Sequence, residues 1–400
     1  MKIGIIREGK IPPDSRVPLP PIRCQELLAR HDYQLVVQPS PGRCFSDEEY
    51  RNLGIEMAED LSDCDVLLGV KEVPIEQLIP NKTYFFFSHT IKEQAYNREL
   101  LWAVLDKNIR LIDYEVLTDE QGNRLIAFGV FAGMVGAHNG IMACGMRTGA
   151  FSLPRMKDLH DYAEAQAIYD RTNFPAIKVV LTGTGRVGKG AARVLKDMGF
   201  RGVAPERFLN ESFDGPVYTQ LSCHDYAAHV DGIPFDKLTF YKQPQKFKSI
   251  FGPYTKVADV MINGIYWDNE APAFFTREEM MQSDFRIRTI ADVTCDIAPV
   301  SSIPSTLFAS TIADPIFGYD PMSGDKAEPF ADQVIDMMTV DNLPNELPRD
   351  ASLSFGQQFL DTIAGELMNP QGSAILERAT VAHDGQLGKH FSYLAEYADH

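Results

Sequence analysis

The sequence predicts an α/β protein of two domains, each built on a largely parallel sheet, flanking a cleft, with the first domain discontinuous. Three observations predict it. Strand-like and helix-like segments alternate through the first 120 residues. A second alternation opens near residue 176, where an apolar strand runs into a glycine-rich turn and then a helix. After Pro348 the pattern turns helical again to the end, so the tail can pack back on the first domain. The expected boundaries are 1–137 with 345–400, a bridging helical segment 138–169, and a second domain 170–344.

The elements follow in order. Lys2–Ile6, Tyr33–Gln38, Asp65–Val70, Thr83–Phe87 and Arg110–Tyr114 are short apolar runs of strand length. Ser46-Asp-Glu-Glu49 is a capping box, in which serine oxygen and Glu49 carboxylate satisfy each other's amides, and Gly54 ends that helix. Ile141–Tyr169 is helix-compatible apart from Pro154. Ala176–Thr182 is the next strand, Val187–Met198 its following helix, ended by Gly199. Val217–Leu221, Val257–Ile262, Arg288–Ala291 and Leu307–Thr311 are further strands, and Ser352–Met368 is the clearest tail helix.

At ~150 residues per domain, 400 residues suit two or three domains. An apolar fraction of 44% and a charged fraction of 23% are those of a globular chain. A net charge of −17 argues against nucleic-acid and anionic-membrane partners, which need basic faces. The longest nearly apolar run, Ala127–Ala137, is shorter than the ~20 residues a membrane span needs. The N-terminus has no leader pattern, so a cytoplasmic protein is expected. The six cysteines lie far apart without a Cys-x-x-Cys pair and read as buried reduced thiols.

Gly183-Thr-Gly-Arg-Val-Gly188 is a G-x-G-x-x-G hexad that follows a strand and opens a helix. The first glycine permits the tight turn. Gly185 lets a pyrophosphate approach the backbone, and Gly188 lets helix and strand pack closely. Arg186 and Val187 lie in the same turn. This makes residues 170–344 a Rossmann-like dinucleotide-binding domain, with a ligand-free tight turn as the alternative. The acid that would hold the ribose has no clear place: Leu221 ends the second strand and Asp225 follows. No arginine stands between them to pair with a 2′-phosphate, so the expected cofactor is NAD, with NADP left open.

Lys71 and His89 end two strands of the first domain, where ligands of parallel sheets gather. A lysine of lowered pKa and a neutral histidine form an acid–base pair near neutral pH. Spacing alone leaves open a solvated lysine and a structural histidine. Arg16 and Arg124 follow turns, and their forks suit carboxylates, though either can be a surface residue.

Several stretches together resemble a family. They are Gly69–Pro74, Lys82–Lys92 with its Ser-His-Thr-Ile-Lys, Arg110–Glu115, Ala127-Phe-Gly129, Thr182–Ala191, Ile262–Trp267, Asp292–Asp296 and Val340-Asp-Asn-Leu-Pro344. The chain resembles lysine-forming saccharopine dehydrogenases, and more closely the lysine–ketoglutarate reductase domain of bifunctional aminoadipic semialdehyde synthases. Both lie in the alanine dehydrogenase and transhydrogenase superfamily. The resemblance implies a soluble NAD(P)-dependent oxidoreductase interconverting saccharopine with L-lysine and 2-oxoglutarate through an imine. It implies proton transfer by Lys71 and His89, and substrate contacts from Arg16, Gln94, Arg124 and Phe128. It also implies cofactor contacts from Gly183, Gly185, Arg186, Val187, Gly188, Leu221, Asp225, Tyr266, Val293, Val340, Asp341, Asn342 and Leu343. No metal is implied. An amino acid and a 2-oxo acid are the expected partners, on a monomer or homodimer. Three departures stand out. Leu221 occupies the place of an acid in the fungal-type enzymes. Asn123 replaces one of two adjacent arginines. Cys223 stands about where the reductase domains carry an arginine. An insert at Thr239–Tyr254 is expected to decorate the cofactor domain. Two alternatives remain: an alanine dehydrogenase or other opine-type imine reductase, and a nicotinamide-nucleotide-binding protein without turnover.

Overall fold

Short apolar runs become strands here because their side chains are buried on both faces of a sheet. The computed structural model describes residues 1–399 and divides into residues 1–128 with 348 onward, and residues 129–347. In the first unit β1 (Lys2–Ile5), β2 (Gln34–Val37), β3 (Glu56–Met57), β4 (Val66–Leu68), β5 (Thr83–Phe86) and β6 (Arg110–Asp113) pair in parallel, in the order 3-2-1-4-5-6. Their alternation feeds two cores. Leu68 and Phe85 face a cluster completed by Phe355 and Phe359 of the helix Pro348–Thr362. Leu67, Tyr84 and Phe86 face a cluster completed by Leu100, Leu101 and Val104 of the helix Arg98–Asp106. The Ser46–Glu49 capping box forms as expected.

The tail is not helical to its end, which corrects the reading above. Thr380–His383 pairs antiparallel with β6, then turns through Asp384 and Gly385 into Gln386–Leu387. Asp384 and Gly385 have φ of +52° and +68°, as a two-residue hairpin turn of the Asp-Gly type requires. A four-residue strand is too short for its alternation to stand out.

In the second unit the strands are β7 (Lys178–Thr182), β8 (Arg201–Gly202), β9 (Val217–Leu221), β10 (Ala227–His229), β11 (Phe247–Ser249), β12 (Val260–Asn263), β13 (Thr289–Asp292), β14 (Ile316–Asp320), β15 (Asp325–Ala327) and β16 (Ile335–Met338). The parallel order is 8-9-7-12-13-16, and β14 and β15 extend the sheet antiparallel beyond β16. Leu307–Thr311 is not a strand. It meets its neighbour through a single bridge, Ser310 to Val340, and the Ser310 hydroxyl then bonds Pro315 O, so pairing does not propagate. β10 and β11 form a separate antiparallel pair.

The apolar, glycine-rich run is the helix Gly129–Thr148, buried over most of its circumference. Within this unit it lies against the helix Arg186–Asp197. A Cβ on Gly133 would fall on Val187 O, and one on Gly190 would fall on Val130 O. Residues 129–169, expected to divide between the first domain and a bridge, all fall in this unit. All six cysteines are free thiols, with Cys24, Cys64, Cys144 and Cys223 buried. Among the described residues no helix is long and apolar enough to cross a membrane.

Candidate active site

The order 3-2-1-4-5-6 reverses at β1, so the loops after β1 and β4 part and leave a crevice at the carboxyl ends. The side chains found there come from the ends of β1, β4, β5 and β6. Glu8, beyond β1, accepts hydrogen bonds from Val70 N (2.6 Å) and Lys71 N (2.9 Å). This ties the Lys71 backbone to the first loop. Burial, and then the Asp14 charge, push the Glu8 carboxyl up to about 8 against the pull of those amides. Burial also lowers the Lys71 ammonium, and the Arg16 guanidinium lowers it further. Desolvation is the larger cause of the lowering, and the neighbouring cation adds to it.

Lys71 is followed by Glu72, which orders the histidine. Glu72 Oε1 lies 2.5 Å from His89 Nδ1, and Lys10 Nζ donates to Glu72 Oε2 at 2.7 Å. Burial pushes the Glu72 carboxyl up, but these bonds overcome it and hold the group at about 2. The carboxylate is thus ionised at neutral pH, which places the hydrogen on Nδ1 and leaves His89 Nε2 to exchange a proton. His89 has φ of +54°, uncommon for a residue with a Cβ. Its turn is held from beneath: Ser88 donates to Asp113 Oδ2 through N (2.9 Å) and Oγ (2.6 Å), and Glu115 N donates to Oδ1 (2.7 Å). Asp113 is fully buried at the end of β6, and burial raises its carboxyl.

Arg16 is buried. It donates to Asp14 from Nε (3.0 Å) and Nη2 (2.6 Å), and stands 4.3 Å over the Phe128 ring. Phe128 stacks on Phe355 with centroids 4.7 Å apart. Arg124 lies 3.8 Å from Glu115, which also pairs with Lys92 at 3.2 Å, and stands over Phe87. Lys71, His89, Arg16 and Phe128 are thus linked within the unit through Glu8, Glu72 and Asp14. Gln94 is exposed, and its side chain accepts from Tyr96 OH at 2.6 Å. Sequence reasoning missed Glu8, Glu72, Asp14 and Asp113. The signal was present for two of them: an acid beside Lys71, and an acid two residues before Arg16.

In the second unit Gly183 has φ of +95°, and a Cβ there would lie 2.5 Å from Gly264 O. A Cβ on Gly188 would fall on Gly183 O, whereas one on Gly185 would meet nothing within 4 Å. The helix that Gly185 begins has no side-chain cap, so its first amides and the bare turn form a cradle a pyrophosphate fits. Beside it lies a cavity of about 470 Å3 bounded by the turn, by Ser222–His224 and by Gly264–Tyr266. Thr184, Gly185 and Arg186 are exposed, and Val187 is half-buried.

Leu221 is fully buried in the hydrophobic cluster, so the place sought for an acid presents no side chain to a ligand. Asp225 closes a capping box with Ser222, accepting from its N (2.8 Å) and Oγ (3.0 Å). Tyr266 is exposed and lines the cavity. Val293 abuts Gly136, Val340 and Leu343 are buried, Asp341 is exposed and Asn342 is half-buried. Sequence reasoning also missed a buried polar chain at the ends of β7, β12 and β13. Thr182 Oγ1 donates to Asn263 Oδ1 (2.6 Å), and Asn263 Nδ2 donates to Asp292 Oδ1 (2.9 Å) and Ser302 Oγ (2.9 Å). Thr306 Oγ1 closes it on Asp292 Oδ2 (2.6 Å).

Residues 4–135 match the family described as alanine dehydrogenase/PNT, N-terminal domain. The chain is 30% identical to the mitochondrial alpha-aminoadipic semialdehyde synthase of Bos taurus, over 95% of its own length and 46% of that protein. It thus spans about half the length of that relative. It is 27% identical to the saccharopine dehydrogenase (NAD(+), L-lysine-forming) of Yarrowia lipolytica, over 91% of each chain. Its fold matches L-alanine dehydrogenase with a TM-score of 0.66 at 15% identity, covering both chains fully. The chain is therefore similar, over nearly all its length, to lysine-forming saccharopine dehydrogenases and aminoadipic semialdehyde synthases, and is built on the alanine dehydrogenase fold.

Proposed function

We propose that the chain is a nicotinamide-dinucleotide-dependent oxidoreductase that interconverts saccharopine with L-lysine and 2-oxoglutarate. The observation that carries the reading is the Lys71–Glu72–His89 arrangement: a half-buried, desolvated lysine followed directly by the ionised carboxylate that orients the histidine ring. Joining an amine to a ketone moves several protons. The amine must lose one, the carbinolamine must form, and its oxygen must leave as water. Lys71, shifted toward the neutral amine by burial, takes a proton from the substrate ammonium. His89 exchanges one at Nε2 with the departing oxygen, while Glu72 holds Nδ1 and stabilises the charge that develops on the ring. Arg16 and Arg124 supply guanidinium groups for the several carboxylates of these substrates. Asp14 and Phe128 fix the plane of Arg16. The dinucleotide, when bound, supplies or accepts the hydride. Gly183, Gly185 and Gly188 shape the turn that holds its pyrophosphate.

The test follows reduced-cofactor absorbance with enzyme, L-lysine, 2-oxoglutarate and either NADH or NADPH. Lysine-dependent oxidation is the expected result. If lysine fails while another amine in a panel with pyruvate and 2-oxoglutarate succeeds, the substrate assignment falls. The double variant Lys71→Met, His89→Gln is expected to lose turnover and keep dinucleotide binding. Full activity in it overturns the roles given to those residues.

A further inference from the structure

The first unit holds a cavity of about 390 Å3 that the arrangement around Lys71 does not use. Small-molecule pockets span about 300–1,000 Å3. The cavity lies past the carboxyl ends of β1, β2 and β4, and Tyr84 reaches it from β5. Arg7 and Val73 line it, whereas their neighbours Glu8 and Glu72 hold the Lys71 amide and the His89 ring. The two sites therefore share two loops. A Cβ on Gly9 would lie 2.7 Å from Gln77 Oε1 and 2.8 Å from Pro74 Cγ, so those loops are in direct contact.

Unused donors mark what the cavity takes. Tyr84 is 1% exposed, and its hydroxyl accepts from Ile79 N at 2.8 Å. Burial pushes the phenol up to about 12, so it keeps its hydrogen at neutral pH. Among the described residues that hydrogen meets no acceptor. A buried hydroxyl with an unspent donor calls for an acceptor from a ligand. Arg7 bonds through Nη2 to Glu59, and the rest of its fork meets no acceptor among the described residues. A guanidinium and a phenol hydrogen suit a carboxylate. The Glu59 carboxylate at the same cavity suits an ammonium, and Ile6, Leu61, Val73 and Ile79 supply an apolar wall.

We infer that this cavity takes a free α-amino acid with an aliphatic side chain and acts as an effector site for the chemistry at Lys71. The carboxylate goes to Arg7 and the Tyr84 hydroxyl, the ammonium to Glu59, and the side chain to Ile6, Leu61 and Val73. A carboxylate on Arg7 competes with Glu59 for the guanidinium, and the incoming ammonium replaces the charge that Glu59 loses. The re-sorted pair acts on Glu8, the next residue, and Glu8 holds the Val70 and Lys71 amides. An occupant that favours one arrangement of this loop shifts the other site with it. The binding site stands apart from the oxidoreductase reading, whereas the effector role rests on it.

The probe is L-leucine, which the proposed reaction does not use. Calorimetry titrates it into the full chain, with isocaproate (no ammonium) and isoamylamine (no carboxylate) as comparators. L-Leucine is expected to bind at least about tenfold more tightly than either. Tyr84→Phe is expected to weaken it at least about fivefold, and Arg16→Met to change it by no more than about twofold. In the turnover assay L-leucine is expected to change the KM for L-lysine at least about twofold in wild type and not in Tyr84→Phe. No binding of L-leucine overturns the inference. Binding lost in Arg16→Met and kept in Tyr84→Phe puts the ligand at the Lys71 site and also overturns it. Binding without any effect on turnover overturns the effector role and leaves the site. A chain that turns over no amine with either cofactor removes the oxidoreductase reading, and the calorimetry still decides the site. If Tyr84→Phe fails to fold, the wild-type comparators decide.

Discussion

Glu72 and His89 share a 2.5 Å contact in which the carboxylate stays ionised although it is largely buried. The contact, together with the Lys10 hydrogen bond to the same carboxylate, contributes stability as well as orientation. A carboxyl held at about 2, below its ordinary 4.5, stabilises the fold above pH 4.5 and loses that contribution as pH falls through 2. The size is up to roughly 3 kcal/mol. Glu72→Gln is therefore expected to be less stable than wild type at pH 7, with the gap narrowing as pH falls from 4.5 toward 2. Denaturant unfolding of both proteins at pH 7 and pH 3 measures it. A gap independent of pH sinks the ion-pair account.

Glu8 has the opposite sign. Its carboxyl, pushed up to about 8, favours the fold while protonated. That contribution is complete below pH 4.5 and disappears as pH rises through 8, by a few kcal/mol. Wild type is expected to lose stability relative to Glu8→Gln between pH 5 and pH 9. Melting temperatures of the two across that range check it, and parallel curves refute it.

Gly133, like Gly190 opposite it, marks a close approach between two helices of the second unit. Gly133→Ala is expected to cost about 1–3 kcal/mol by forcing a methyl onto Val187 O, and to weaken dinucleotide binding because Val187 belongs to the glycine turn. Thermal melting and a titration with NADH and NADPH on one preparation check both effects. An unchanged melt shows that the helices can part at no cost.

Asp292 accepts four hydrogen bonds, from Asn263 Nδ2, Thr294 N, Thr294 Oγ1 and Thr306 Oγ1. Asp292→Asn turns one acceptor into a donor that faces other donors. The expected cost is about 1–3 kcal/mol. Denaturant titration at pH 7 is the measurement. A loss below a few tenths of a kcal/mol would mean that the network rearranges freely.

Local signals made much of the fold readable. Val217–Leu221 is a strand with the predicted bounds, and the Ser46–Glu49 box caps a helix. These features depend on neighbours in sequence. What escaped depends on neighbours in space. Thr380–His383 is a strand because β6 offers it an edge, and Ile316–Asp320 because β16 does. The same holds at the site. Lys71 and His89 announce themselves at strand ends. Glu8 matters only because its carboxyl meets the Val70 and Lys71 amides, 62 and 63 residues away. The Asp225 carboxylate closes a cap on Ser222, a role that its place after the second strand does not announce.

The interrupted first unit imposes an order on synthesis. Phe85 and Leu68 leave the ribosome long before Phe355 and Phe359, the residues that cover them. The nascent N-terminal sheet must therefore wait, with one face bare, while the uninterrupted second unit is made and can fold. Chaperone demand during translation should concentrate on that waiting sheet. A circular permutant that joins the tail directly ahead of Met1 should relieve it.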